Sequence, residues 1–160
     1  MSEQTTDPIR PTDDEARALA RGLIDEARHG ALGVIDPGTG APMVTRIAVV
    51  PGPDGVPLTL VSTLSSHTAA LDANPACSLL LGEPGDKGDP LTHPRLTLQA
   101  QAEEADKTAL RAHYLRLYPK AQLYYDFGDF RLMRLVPQEA FLNGGFGKAY
   151  RMTAGDLAGA

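Results

Sequence analysis

Apolar residues recur at helical spacing in the segment that begins at Thr12. The repeated positions are Ala16, Leu19, Ala20, Leu23, Ile24 and Ala27. Thr12 is followed three residues later by Glu15, the pattern of a capping box, and Gly30 stands where a glycine commonly ends a helix. The pattern predicts a helix between Thr12 and Gly30. The preceding residues 1–10 are polar and aperiodic, so we expect a flexible N-terminus.

Short strand-like runs separated by Gly- and Pro-rich turns occupy most of the remaining chain. The runs are ALGVID, MVTRIAVV, VPLTLVS, ACSLLLG, PRLTLQAQAEEA, FRLMRLVP and EAFLNGG, the last two being predicted as separate closing strands. Helical patterns interrupt them at residues 68–73, at residues 106–117 and after Pro119. No repeat or change of composition divides the chain, so residues 11–160 are predicted to form one domain.

Tight turns between consecutive strands indicate antiparallel pairing. Six or seven strands in a chain of 160 residues leave fewer open edges when they close on themselves than when they form a flat sheet. The predicted fold class is therefore mainly β (α+β), an antiparallel β-barrel with flanking helices.

The charge and composition of the chain argue against several kinds of ligand and binding site. The net charge is −5 and the basic residues are scattered, which argues against nucleic acid as a partner. Cys77 is the single cysteine, so no intrachain disulfide or thiolate cluster is expected, and the histidines lack the spacing of metal ligands. No apolar stretch has the length of a membrane span and no secretory signal is present, so we expect a cytoplasmic protein with no membrane partner.

The junction after VPLTLVS concentrates hydroxyl groups and an imidazole at the start of a helix. Its side chains belong to Ser62, Thr63, Ser65, Ser66, His67 and Thr68. A helix N-terminus attracts anions, and Ser and Thr hydroxyls donate readily to phosphate oxygens. Two interpretations stand at this stage. The residues form an anion cradle, or Ser65 or Ser66 caps the helix and the others are solvated.

Arg46 bears on that choice because it lies within the apolar strand run MVTRIAVV. Strand alternation places its side chain opposite those of Thr45 and Ile47. It either points to solvent or faces the strand end at Ser62, where it would add a bidentate phosphate donor. No side chain stands out as an acid, base or nucleophile, so catalytic residues stay unassigned.

Three segments in order resemble the split-barrel flavoproteins related to pyridoxamine 5′-phosphate oxidase, in the haem-utilisation-like branch. The segments are LVSTLSSHTAALDANPACSLLL, GDPLTHPRLTLQAQAE and YYDFGDFRLMRLVPQEAFLNGGFGKAY. The resemblance implies a split β-barrel and a homodimer with FMN between the subunits. The implied cofactor-binding residues are Arg46, Ser62, Thr63, Ser65, Ser66, His67, Thr68 and Arg95.

The resemblance also has departures. Ser66 and His67 replace the Arg-Lys pair of the oxidase, and Pro51 aligns with its strand lysine, so oxidation of pyridoxamine phosphate itself is not expected. The implied function is an FMN-dependent oxidoreductase of unknown substrate. The alternatives are a haem-binding or haem-utilisation protein without flavin chemistry, a deazaflavin protein, and a structural dimer with an empty cleft.

Overall fold

The computed structural model describes residues 8–145 and 147–158. Within them are four helices and nine strands. The helices are α1 (Asp14–Glu26), α2 (Ser66–Ala73), α3 (Arg111–Leu117) and α4 (Ala154–Leu157). The strands are β1 (Ile9–Arg10), β2 (His29–Ile35), β3 (Pro42–Ala48), β4 (Val50–Pro51), β5 (Pro57–Ser62), β6 (Ala76–Leu81), β7 (Arg95–Glu104), β8 (Phe130–Asn143) and β9 (Ala149–Thr153). Two short 3-10 helices lie at Pro90–Thr92 and Pro119–Leu123.

The sheet is a barrel that stays open along one seam. Its strands follow the order β1-β9-β8-β7-β6-β2-β3, and β5 pairs with β8 and β4 off this path. All pairs are antiparallel except β1 with β9. Between the described residues, no backbone ladder joins β3 to β5. The predicted α+β split barrel is confirmed, and seven of its strands have five or more residues.

The apolar face of helix α1 packs against the barrel core, and its residues Ala16, Ala20 and Ile24 are buried there. Its N-cap differs from the prediction. The Asp13 carboxylate accepts from the Ala16 amide at 2.8 Å, whereas the Thr12 hydroxyl donates to the Arg151 carbonyl oxygen at 2.8 Å. The Thr12 hydroxyl is therefore used in a contact with strand β9 and does not cap α1.

The predicted C-terminal glycine of that helix, Gly30, instead lies inside β2. A Cβ atom at Gly30 would lie 2.9 Å from the Leu81 Cδ2 atom and 3.0 Å from the Leu80 carbonyl oxygen. Glycine is needed here because β2 and β6 pack closely, and α1 ends earlier, at the C-cap Ala27.

The C-terminal half differs from the prediction in its strands. The two expected closing strands form one continuous strand, β8, because Pro137 lies at a register shift opposite Gln99 and Ala100, where a bulge tolerates a proline. The predicted helix at residues 106–117 begins only at Arg111. Of the residues 1–10 predicted to be flexible, residues 1–7 lie outside the described residues, and Ile9–Arg10 form β1, which pairs with β9.

Two apolar clusters hold these elements together. The larger fills the barrel and includes Leu32, Leu79 and Leu98, all at 0% exposure. The smaller lies between β5 and α3 around the buried rings of Tyr114 and Tyr125. In the part of the chain that the structure describes, no helix has the length and apolar character needed to cross a membrane.

Candidate functional site

The junction between β5 and α2 presents hydroxyls that the protein does not use itself. Ser65 is the N-cap residue of α2, yet its side chain makes no capping hydrogen bond. Among the described residues, the hydroxyls of Thr63, Ser65 and Ser66 have no hydrogen-bond partner. Thr63 and Ser66 are exposed and Ser65 is partly buried. The side-chain capping interpretation therefore does not account for the cluster, and three donors stay available to a ligand.

Two other residues of the predicted site hold the junction together. The Thr68 hydroxyl is buried and donates to the Ser62 carbonyl oxygen at 2.5 Å. The Ser62 Oγ atom accepts from the Leu64 amide at 3.1 Å, which closes a tight turn. These contacts fix the backbone conformation that presents the free hydroxyls, so the side-chain oxygens of Ser62 and Thr68 are already engaged within the junction.

His67 lies half-buried on the first turn of α2. Its Nδ1 atom lies 3.1 Å from the Thr45 Oγ1 atom, which links α2 to β3 across the open seam. Burial lowers the pKa of His67 below its ordinary value of 6.5, so its ring is neutral at pH 7. Its Nε2 atom has no hydrogen-bond partner among the described residues. Sequence reasoning missed Thr45, although strand alternation places it on the inner face beside Ile47.

The two predicted arginines do not join the junction directly. Arg46 is exposed and lies on the face of β3 opposite Thr45, with no ion pair or hydrogen bond in the described residues. Arg95 lies on β7, three strands from β3, or about 14 Å at the usual strand spacing. Its guanidinium donates to the carbonyl oxygens of Leu91 and His93 at 2.8 and 3.4 Å, so it holds the loop before β7.

The outer face of the sheet carries a cavity that sequence reasoning did not identify. Its volume is about 450 Å³, and its lining includes Gly33, Ile35, Pro42, Ser78, Gln99 and Gln101. Val44 on the same face is 69% exposed and Leu80 is 44% exposed, so the chain leaves this surface open. The one local signal in the sequence was Gly33, a glycine inside an apolar strand.

The outer face and the junction meet at β3. Val44 and Arg46 point to the outer face, while Thr45 between them points inward to His67. Because β3 ends the strand order, its far edge is not paired in the described sheet. His67, in contact with Thr45, therefore lies at this edge on the inner side of β3, while Val44 and Arg46 lie on its outer side. The residues suit a ligand with a flat apolar body and an anionic end.

Comparison with known proteins places this geometry in a family. The model of the CREG β-barrel family matches residues 11–156. One solved structure is 46% identical, covers 94% of this chain and 100% of its own, and superposes with a TM-score of 0.89. A heme binding protein from Mycobacterium smegmatis is 27% identical over 93% of this chain and 61% of its own, with a TM-score of 0.82.

A curated relative is the Arabidopsis thaliana protein named "Non-canonical heme oxygenase HOZ, chloroplastic". It is 45% identical over 89 residues, which is 53% of this chain and 26% of that protein. The match thus spans about a quarter of the relative's length. The resemblance to split-barrel proteins of the haem-utilisation-like branch is confirmed by the family model and by these structures. Since the family model covers nearly all of the described residues, this chain belongs to the CREG β-barrel family.

Proposed function

We propose that this protein binds haem, with His67 as the residue that contacts the iron. The observation that carries the proposal is the free Nε2 atom of a half-buried, neutral histidine at the open seam. Neutral imidazole nitrogen is a common ligand of haem iron. The Thr45 Oγ1 atom lies 3.1 Å from Nδ1, and in the Nδ1–H tautomer it would accept from that nitrogen and leave Nε2 as the ligand atom, the arrangement that orients a metal-ligating histidine.

The outer sheet face supports the same proposal because it offers apolar area for a flat ring. Val44, Leu80 and Ile35 are exposed there, beside the cavity of about 450 Å³. Arg46 is an unpaired cation on this face, suited to a haem carboxylate. The names of the M. smegmatis and A. thaliana relatives support haem as the ligand class. Bound haem would supply redox chemistry at its iron, while the chain binds and orients it.

A hemin titration with a matched pair of histidine variants tests the proposal. Wild-type protein is expected to give a saturable Soret shift, and His67→Ala is expected to weaken binding at least tenfold and to change the Soret position. His113→Ala is the control, because His113 on α3 is partly buried like His67, while its Nε2 atom already contacts the Pro51 carbonyl oxygen. If the wild type shows no saturable shift, haem binding is wrong. If His67→Ala keeps the wild-type spectrum, the iron contact is wrong.

FMN is the second candidate, and a specific observation favours it. The free hydroxyls of Thr63, Ser65 and Ser66 lie at the N-terminus of α2, where a phosphate would find donors and the positive end of the helix dipole. Arg46 and His67 would supply further donors, and Ser62 and Thr68 would support the turn. Arg95 is assigned to this site only by the family resemblance, because in the structure its guanidinium contacts the loop before β7. The protein would then be an FMN-dependent oxidoreductase of unknown substrate, with the flavin carrying hydride transfer.

Absorption spectra distinguish the two cofactors. FMN, a deazaflavin or hemin is added separately to the purified protein, and unbound ligand is removed by gel filtration. Retained flavin bands that release free FMN on denaturation would support the second candidate. A Ser65→Ala/Ser66→Ala variant is then expected to bind flavin about thirtyfold less tightly, because two neutral donors at roughly 1 kcal/mol each are lost. Uptake of hemin, without uptake of FMN or the deazaflavin, would contradict FMN as the ligand.

The open sheet face also supports a homodimer. An isologous contact across this face would cover Val44 and Leu80 and would give a flat ligand walls from both copies. A stable contact of this kind buries about 800 Å² on each partner. We expect light scattering to give twice the mass of one chain, and Val44→Asp to give a monomer. Leu123→Asp, at an exposed leucine in a 3-10 helix, is the control that keeps the dimer. A monomeric wild type would contradict the proposal.

A further inference from the structure

A groove separate from the outer sheet face runs along helix α1. Its volume is about 550 Å³, and it lies between α1, the turn between β4 and β5 at Pro53 and Gly55, and Leu157 of α4. It continues past Ile24 and Leu157 into an apolar extension of about 160 Å³ that reaches Val136. The described residues that line it belong neither to the junction nor to the outer-face cavity. A groove of this size suits a small ligand.

The wall that α1 contributes contains a glycine that the helix does not need. This wall consists of Ala18, Arg21, Gly22 and Asp25, which lie on one side of the helix because they are three or four residues apart. Glycine in a helix interior is less favourable than every residue except proline. No atom lies within 4 Å of a Cβ atom added at Gly22, so packing does not require glycine there. The glycine leaves the centre of the groove open.

The two charged residues of this wall are also placed against the preferences of a helix. Asp25 lies in the last turn of α1, where the helix dipole disfavours a carboxylate. Arg21 precedes it by four residues, and the order of cation before anion is the weaker one for an ion pair along a helix. In the part of the chain that the structure describes, neither side chain has an ion pair or a hydrogen bond, since Arg28 contacts only the Asp25 backbone carbonyl oxygen. A free cation and a free anion therefore flank Gly22.

The carboxylate on the opposite wall is already engaged. The Asp54 Oδ2 atom accepts from the Arg134 guanidinium at 2.8 Å, and its Oδ1 atom accepts from the Val56 amide at 3.1 Å. These contacts balance the charge of Asp54 and fix the turn that forms this wall. The charges of a ligand would therefore be met by Arg21 and Asp25.

We propose that this groove binds a free apolar α-amino acid. The ligand carboxylate pairs with the Arg21 guanidinium, whose N–H groups suit a bidentate contact, and the ligand ammonium pairs with Asp25. Side chains four residues apart on a helix have Cβ atoms about 5–6 Å apart, which suits two charges carried by one carbon atom. The apolar side chain of the ligand enters the extension beside Val136 and Leu157. This site is independent of the proposed haem binding.

Calorimetric titration with L-leucine and two analogues tests the need for both charges. Isocaproate has the leucine skeleton without the ammonium group, and isoamylamine has it without the carboxylate. We expect saturable binding of one L-leucine per chain and binding of each analogue at least about tenfold weaker, because one charge-assisted contact is lost. Arg21→Gln and Asp25→Asn should each weaken L-leucine binding to the same degree. Lys120→Gln is the control, since it removes one charge at an exposed residue outside the groove.

Gly22→Leu tests whether the open space is the binding site. Leucine is a strong helix former, and its side chain would fill the groove. We expect this variant to melt at or above the wild-type temperature and to bind L-leucine at least about tenfold more weakly. Gly22→Ala adds a single methyl group and keeps the test valid if the larger side chain disturbs folding. It should raise the melting temperature and weaken binding severalfold.

Three results would overturn the assignment. The first is no saturable binding of L-leucine by the wild type, and the second is equal binding of the two analogues. The third is a lower melting temperature of Arg21→Gln and Asp25→Asn with unchanged L-leucine binding, which would show that the two charges serve only each other. Hemin titrations of the same variants should match the wild type, so failure of this site and failure of haem binding are separate outcomes.

Discussion

Two buried threonines are expected to respond in opposite ways to the same substitution. Thr59 lies in β5 at 0% exposure, and its Oγ1 atom has no hydrogen-bond partner among the described residues. Thr68, at 3% exposure, donates its hydroxyl to the Ser62 carbonyl oxygen. Valine has nearly the same shape as threonine, so Thr59→Val and Thr68→Val change the hydrogen bonding far more than the packing.

The structure gives the sign and the size of each effect. At Thr59, valine removes an unsatisfied buried hydroxyl, whose desolvation costs about 1–3 kcal/mol, so we expect a gain in stability of about 1–2 kcal/mol. At Thr68, valine removes one hydrogen bond with a net worth of about 1 kcal/mol. The Ser62 carbonyl oxygen still accepts from the Ser65 amide at 3.1 Å, which limits the loss. The two variants should therefore differ by about 2–3 kcal/mol.

Urea denaturation followed by circular dichroism measures both changes, and thermal melts give an independent estimate. For a chain of this size, 1 kcal/mol corresponds to about 2–4 °C in the melting temperature. Thr59→Val should melt above the wild type and Thr68→Val below it, with unchanged m-values. Equal destabilisation by both substitutions would refute the reasoning, because it would mean that the Thr59 hydroxyl is hydrogen-bonded in the native protein.

Two further predictions concern His67 and a glycine turn. Burial lowers the pKa of His67, so the folded protein binds this proton less readily than the unfolded chain does. The stability is therefore full above about pH 6.5 and falls as the pH drops through the lower folded pKa, and His67→Gln should flatten this dependence in urea titrations between about pH 7.5 and pH 5. Gly82 has a φ of +106°, and an added Cβ would lie 2.5 Å from the Pro94 carbonyl oxygen, so Gly82→Ala should cost about 1–3 kcal/mol in unfolding free energy. Gly128→Ala, with open space around it, should stay within about 0.5 kcal/mol of the wild type, and equal losses at both sites would contradict the argument.

The elements whose signals are local were predictable from the sequence. The helical repeat from Ala16 to Ile24 is a property of one segment, and it predicted α1 with only its ends misplaced. Turn residues and the apolar runs between them likewise located β2, β3, β5, β6 and β7. The hydroxyl-rich junction was recognisable because its chemistry lies within seven consecutive residues.

Long-range pairing decided what the sequence left open. Thr12 bonds to Arg151 rather than capping α1, and Gly30 serves the close approach of β2 to β6. Pro137 suggested a break between two strands. In the structure, β8 continues through Pro137 because the proline lies at a bulge in the pairing with β7. The short strands β1 and β9 have too few residues for a periodic signal, and their pairing alone defines them.

The candidate site also has features that the sequence predicts and features that only the tertiary structure determines. By itself the sequence determined which groups are present at the junction, because hydroxyls and an imidazole at a helix start are a local pattern. Only the tertiary structure decided which of them are free, since Thr68 is used by the Ser62 carbonyl oxygen and His67 by Thr45. The open face around Gly33 is likewise a product of strand order, because β2 and β6 carry apolar residues on both faces and their sequence pattern does not indicate which face the chain covers.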